Sequence, residues 1–231
     1  MVTECSVPQP TLPAAVLFDM DGLLVDTEPL WTVVQIELAE RHGGTWTPEL
    51  KARVIGTRLE TAVPLMLEGL GITTTPELVV QTMSAVLHRM VELFQSALVA
   101  RPGALDLIAD LRSAGVPIAL VSSSYRVLVD AVLSALELTF DLTLAGDEVV
   151  RAKPDPEPYA TAAVTLGVDV TRCVVLEDSP AGVASGEAAG CAVVAVPSVA
   201  GVVFEVRPRR WVRDTLAGMT AADLGTLLDG G

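Results

Sequence analysis

The chain is short of cysteine, short of positive charge and without a long apolar run, and each shortage removes a class of protein. Its three cysteines, Cys5, Cys173 and Cys191, lie far apart and form no CxxC. Neither a disulfide framework nor a zinc ribbon is indicated, and a reducing cytoplasm is the expected setting. Fifteen Lys and Arg against 29 Asp and Glu leave a net charge of −14, with a pI near 4.4. Nucleic acid and anionic membrane surfaces are therefore not expected partners, since both need clustered basic residues. The longest uncharged stretch, Ala188–Phe204, is interrupted by Gly190, Pro197, Ser198 and Gly201. It falls short of the ~20 apolar residues that a membrane-spanning helix needs. The opening MVTECSVPQPTLP has no basic segment running into an apolar one, so residues 1–13 read as a short disordered tail and not as a secretion signal. No internal repeat is present, and the lack of a G-x-x-x-x-G-K-[ST] loop argues against nucleotide hydrolysis on a phosphate loop. A soluble chain is expected.

What the chain does have is apolar content, 51% of its residues, enough for a sizeable core. Ala14–Phe18 is a continuous apolar run that stops abruptly at Asp19, the pattern of a strand buried on both faces of a parallel sheet. Similar runs recur at Pro117–Val121, Phe140–Ala145, Cys173–Leu176 and Ala192–Val196. Helical patterns lie between them at Gly103–Ser113, Tyr125–Leu136, Pro156–Leu166 and Pro180–Ala189. This alternation predicts an α/β fold, a Rossmann-like parallel sheet with helices on both faces. One interval breaks it. From Glu28 to Val99 no strand is convincing, while Leu30, Val33, Val34 and Leu38, and later Val79, Met83, Val86, Leu87 and Met90, fall at helical spacing. The expected organisation is a core of residues 14–27 and 100–231 with a helical second domain, residues 28–99, inserted after the first strand. Residues 207–231 are charged and then helical around Ala221–Leu228, with no function assigned.

In open α/β sheets ligands bind beyond the carboxyl ends of the strands, so the polar residues there are the candidates. The first strand ends in Asp19-Met20-Asp21-Gly22. Alternation puts Asp19 and Asp21 on one side, and Gly22 permits a sharp turn. Two such close carboxylates repel, and a hard divalent cation would suit them. The second strand ends in Ser122-Ser123-Ser124, whose hydroxyls and amides at a helix start could hold a phosphate. Lys153 follows the third strand, and Glu177-Asp178-Ser179-Pro180 follows the fourth. Each alone also has a plain reading, as an acidic turn, a helix cap or a solvated lysine. Together they supply a nucleophile, a proton shuttle, a metal site and a positive clamp, the inventory of phosphoryl transfer.

Asp19-Met20-Asp21-Gly22-Leu23-Leu24-Val25-Asp26-Thr27-Glu28 resembles the first motif of the haloacid dehalogenase superfamily. Ser122, Lys153 and Glu177-Asp178 resemble its second, third and fourth motifs, in order. The resemblance covers about Ala14–Val196 and places the helical insertion where the branch of sugar-phosphate phosphatases and beta-phosphoglucomutase carries a small helical cap. It implies that Asp19 is the nucleophile, forming an aspartyl-phosphate, and that Asp21 is the general acid and base. It implies phosphoryl binding by Ser122, Ser123 and Lys153. It further implies Mg²⁺ held by Asp19, the Asp21 main-chain carbonyl and Asp178, with Glu177 in or just outside the coordination shell. The expected substrate is a small phosphorylated molecule, and a monomer is expected.

Asp21 argues for phosphate esters, because an alcohol leaving group needs a proton donor; relatives that attack carbon–halogen bonds or phosphonates lack it. In the cap, Gly56-Thr57-Arg58 loosely matches the family's substrate-specificity loop, although Arg58 also reads as an exposed helix-start residue. Trp31 stands where the mutase carries a histidine, and it cannot relay a proton. A phosphatase is therefore preferred to a beta-phosphoglucomutase-like mutase, with Trp31 reading equally as a cap core residue. A receiver domain uses similar residues but carries its phospho-acceptor on a later strand and has no such insertion. His42, His88 and the cysteines read as structural.

Overall fold

Strand β1 (Ala15–Phe18) is buried at every residue, and its two sets of side chains feed two separate cores. In the computed structural model, which describes residues 11–54, 57–199 and 201–229, Val16 and Phe18 point into one hydrophobic cluster and Ala15 and Leu17 into another. The same alternation holds in β2 (Ile118–Val121), where Ile118 and Leu120 join the first cluster and Ala119 and Val121 the second. A strand with apolar side chains on both faces needs cover on both, which is why the runs are apolar without interruption.

The described residues form a six-stranded sheet in the order β3-β2-β1-β4-β5-β6, with β3 at Leu142–Leu144, β4 at Cys173–Glu177, β5 at Ala192–Ala195 and β6 at Arg210–Val212. Every pair is parallel. β1 lies between β2 and β4, with Phe18 level with both Leu120 and Leu176. Asp19, the serines after Val121 and the Glu177-Asp178 pair thereby emerge at one edge, where the strand order turns back on itself. That is the ligand crevice of this architecture.

Helices α5 (Ala104–Ser113) and α6 (Arg126–Ala135) cover the first face, together with a C-terminal helix at Ala221–Asp229, the ninth. Helices α7 (Glu157–Leu166) and α8 (Pro180–Ala189) cover the second. Between β1 and α5 stand α1 (Glu28–Arg41), α2 (Pro48–Val54), α3 (Leu59–Gly69) and α4 (Pro76–Ala97). Their apolar positions, among them Leu30, Val34, Leu38, Val86, Met90 and Phe94, continue the first cluster. The two chain segments joining this insertion to the sheet are laced together. Asp26 N–H donates to Val99 O and Arg101 N–H to Leu24 O, each at 2.9 Å, and Val25 bridges Ala100.

Two details depart from the expectation. β6 was not foreseen, because Arg-Trp-Val is three residues long and opens on a charge. It becomes a strand because Arg210 is buried and ion-paired to Glu187 of α8, while its backbone completes the edge of β5. Near the N-terminus, residues 1–10 lie outside the described residues. Within the remainder of the expected tail, Leu12 O accepts from Arg172 at 3.3 Å, and a Cβ on Gly225 would sit 1.6 Å from Thr11 O. Thr11 and Leu12 are therefore packed on the last helix. No described helix is long and apolar enough to cross a membrane.

Candidate active site

Asp19 directly follows β1 and is 6% exposed. Its Oδ1 accepts from Lys153 Nζ at 2.6 Å. The same ammonium donates to Glu177 Oε1 at 2.7 Å and to the Val121 carbonyl at 2.8 Å. All three lysine protons are thus used, one by each of three neighbouring strand ends. Glu177 closes β4 fully buried, and its Oε2 accepts from Asp178 N, Ser179 N and Ser179 Oγ at 3.1–3.2 Å. Its carboxylate lies against α8 where only glycine fits, since a Cβ on Gly182 would be 1.7 Å from Glu177 Oε1.

Asp19, Glu177 and Asp178 each offer an oxygen within 4.8 Å of one another. Three buried carboxylates share one lysine, so negative charge is in excess. Burial, reinforced by Glu177, holds Asp19 well above the ordinary carboxylate range despite Lys153. Burial and Glu177 likewise push Asp178 up to about 7, against the hydroxyl that Ser198 donates to it. Burial pulls Lys153 down, but Asp19 and Glu177 outweigh it and keep the ammonium charged beyond its usual range. A compact set of hard oxygen donors with unbalanced negative charge fits a divalent cation. Gly22 makes room for this cluster: its φ is +83°, and a Cβ there would come within 2.1 Å of Asp178 Oδ2.

Asp21 points elsewhere. Its Oδ1 accepts from Thr27 Oγ1 at 2.7 Å, and its Oδ2 from Ser124 Oγ at 2.8 Å and Ser122 Oγ at 3.4 Å. The two motif-one aspartates therefore have separate surroundings, one facing a lysine and acids, the other facing hydroxyls. Ser122 is buried, and its Oγ also accepts from Ser124 N at 2.9 Å. Ser123 is exposed at the crevice mouth, its carbonyl abutting Gly146.

From the insertion, Arg58 Nη2 donates to Gly146 O at 3.2 Å, bridging the start of α3 to the loop after β3. The Thr57 hydroxyl donates to Val54 O at 2.7 Å and caps α2. Trp31 is half-buried against the first hydrophobic cluster. Gly56 lies outside the described residues. His42 is exposed, His88 pairs with Glu92 on the surface of α4, and Cys173 and Cys191 are buried free thiols, burial lifting them to about 11 and about 12.

Four neighbours of the site escaped the sequence reading. Thr27 and Ser124 belong to the polar segments after β1 and β2 but carry no signal that separates them from helix-capping residues. Ser198 lies beyond the last motif. Tyr159, whose hydroxyl donates to Glu177 Oε1 at 2.8 Å, is hidden in an apolar helical pattern.

Residues 13–190 match the haloacid dehalogenase-like hydrolase family. The chain is 33% identical over 178 residues to a phosphorylated carbohydrates phosphatase of Thermotoga maritima, covering 76% of this chain and 81% of that one. It is 34% identical over 181 residues to hexitol phosphatase A of Escherichia coli, covering 78% and 81%. The crystal structure of CbbY from Rhodobacter sphaeroides in complex with phosphate superposes with a TM-score of 0.79 at 28% identity, over 90% of this chain and 96% of that one. The chain belongs to the haloacid dehalogenase-like hydrolases, and within them it is a phosphoric monoester hydrolase.

Proposed function

We propose that the protein is a Mg²⁺-dependent phosphatase that hydrolyses a small sugar phosphate through an aspartyl-phosphate on Asp19. The observation that carries this reading is the division of labour between the two aspartates: Asp19 is buried against Lys153 in an acid cluster, while Asp21 is held by three hydroxyls two residues away. An Asp19 oxygen attacks phosphorus, the ester P–O bond breaks, and Asp21 gives its proton to the departing alcohol. Asp21 then takes a proton from water as that water attacks phosphorus, and the Asp19–phosphate bond breaks to release inorganic phosphate.

Lys153, Ser122 and Ser123 bind the phosphoryl oxygens, and Lys153 offsets the repulsion between the carboxylate and the incoming dianion. Asp19, Asp178, Glu177 and the Asp21 carbonyl are the residues that would hold Mg²⁺, which when bound supplies the remaining charge neutralisation at the phosphoryl group. At physiological ionic strength screening acts within about 8 Å, so these local cations decide the approach of the anion more than the net charge does.

The helical insertion, residues 28–99, serves in this reading as a cap over a core of residues 14–27 and 100–231. Arg58, Thr57 and Trp31 are its contributions to substrate choice. The names of the relatives, phosphatases of phosphorylated carbohydrates and of hexitol phosphates, support a sugar phosphate. The absence of a histidine at Trp31 supports hydrolysis over phosphoryl retention, and the buried free thiols support a reducing cytoplasm. A monomer completes the reading.

The test is phosphate release across a panel of hexose, pentose, hexitol and nucleoside monophosphates, with Mg²⁺ or with EDTA. Mg²⁺-dependent release from a sugar phosphate is expected. Isomerisation without release, dependent on a bisphosphate activator, would identify a mutase instead. Turnover undiminished by EDTA would remove the metal from the reading.

A further inference from the structure

Resting on the phosphatase reading above, we propose that Tyr159 is a positioning residue that governs how Lys153 divides its charge between Asp19 and Glu177. Tyr159 stands in the first turn of α7 and is fully buried. Around it lies the apolar layer of Leu17, Val121 and Ala163. A phenol hydroxyl is costly in such surroundings unless it finds a partner, and phenylalanine would fill the layer without that cost.

The hydroxyl's partner is Glu177 Oε1 at 2.8 Å, the same oxygen that accepts from Lys153 Nζ at 2.7 Å. The Lys153 ammonium also lies 4.8 Å from the centre of the Tyr159 ring, within range of a cation–π attraction. One side chain therefore touches both members of the Lys153–Glu177 pair, the carboxylate through its hydroxyl and the ammonium through its ring face.

This geometry has an electrostatic consequence. Two carboxylates compete for one ammonium, Asp19 at 2.6 Å and Glu177 at 2.7 Å. A neutral donor on Glu177 Oε1 satisfies part of that oxygen's demand and leaves more of the lysine's charge for Asp19. Without the hydroxyl, Lys153 is drawn toward Glu177, and Asp19 faces the phosphate with its own charge less screened. Tyr159 touches neither substrate nor nucleophile; it acts through Lys153.

The test is Tyr159→Phe, which keeps the ring and the packing. The first readout is the ammonium signal of Lys153 in ¹H–¹⁵N spectra of the full-length protein, assigned by its loss in Lys153→Arg. A buried ammonium with three acceptors should give a slowly exchanging signal in the wild type, broadened or shifted in Tyr159→Phe. The second is turnover of p-nitrophenyl phosphate with Mg²⁺, where kcat should fall about tenfold while KM stays within about twofold and Tm is preserved. An unchanged ammonium signal in Tyr159→Phe, its absence from the wild type, or an unchanged kcat would each overturn the proposal. A wild type that shows the signal but hydrolyses no phosphate ester would sink the phosphatase reading, and the ammonium signal would then decide the placement of Tyr159 by itself.

Discussion

Lys153 Nζ and Asp19 Oδ1 are 2.6 Å apart in a setting almost closed to water, with 4% of the lysine side chain and 8% of the aspartate side chain exposed. The ion pairs described for Asp19 and for Glu177 both run to this ammonium. Lys153→Ala therefore removes the cation facing three clustered carboxylates. We expect kcat/KM on a phosphate ester to fall at least tenfold, about 1.4 kcal/mol in barrier. Lys153→Arg retains the charge with a different reach and should recover part of the loss. An unchanged kcat/KM in the alanine variant would put Lys153 outside the reaction.

Asp19→Asn should abolish turnover, because an amide cannot form the acyl phosphate, while circular dichroism stays that of the wild type. The same change removes a buried carboxylate that burial and Glu177 already disfavour in its charged form. In metal-free buffer the variant should therefore melt no lower than the wild type, the trade of stability for activity that strained sites show. Full activity in Asp19→Asn would end the covalent mechanism, and a melting point several degrees lower would end the account of its electrostatics.

Arg58 reaches from the insertion to the Gly146 carbonyl, at the mouth of the crevice. Arg58→Ala should change the ranking of sugar phosphates more than it changes turnover of p-nitrophenyl phosphate, which has little for the insertion to recognise. Comparable losses on both would argue for a structural contact only.

The edge of the sheet rests on a pair of another kind. Arg210 is buried, and its guanidinium meets the Glu187 carboxylate of α8. Glu187→Ala leaves that charge without its partner and should lower stability by about 2 kcal/mol, less than the 3–5 of a fully buried pair because Glu187 is partly exposed. Urea unfolding measures this directly. Since the pair lies away from the acidic crevice, kcat on a phosphate ester should be unaffected, and a stability equal to the wild type would show that β6 needs no such anchor.

The order of the elements is legible in the residues alone, because a strand buried on both faces must be apolar throughout and a helix must repeat its apolar residues every turn. Both patterns are local. Ala15–Phe18 and the spaced leucines and valines of α1 and α4 therefore declare themselves. Asp19, Asp21, Ser122, Glu177 and Asp178 stand out for the same reason, lying where apolar runs stop, whereas Lys153 lies well beyond β3 and is marked only by its resemblance to the family's third motif. Which donor meets which acceptor is not legible in the sequence, because those pairings depend on how the strand ends and loops are brought side by side, across 134 positions for Lys153 and Asp19 and 103 for Ser124 and Asp21. Only the tertiary structure separated the two aspartates into an acid cluster and a hydroxyl cradle, by bringing Ser124 and Thr27 to Asp21 and Lys153 to Asp19. It alone gave Tyr159 a purpose and made a strand of Arg210–Val212, since a buried hydroxyl and a buried guanidinium are tolerated only where the fold supplies a carboxylate to receive them.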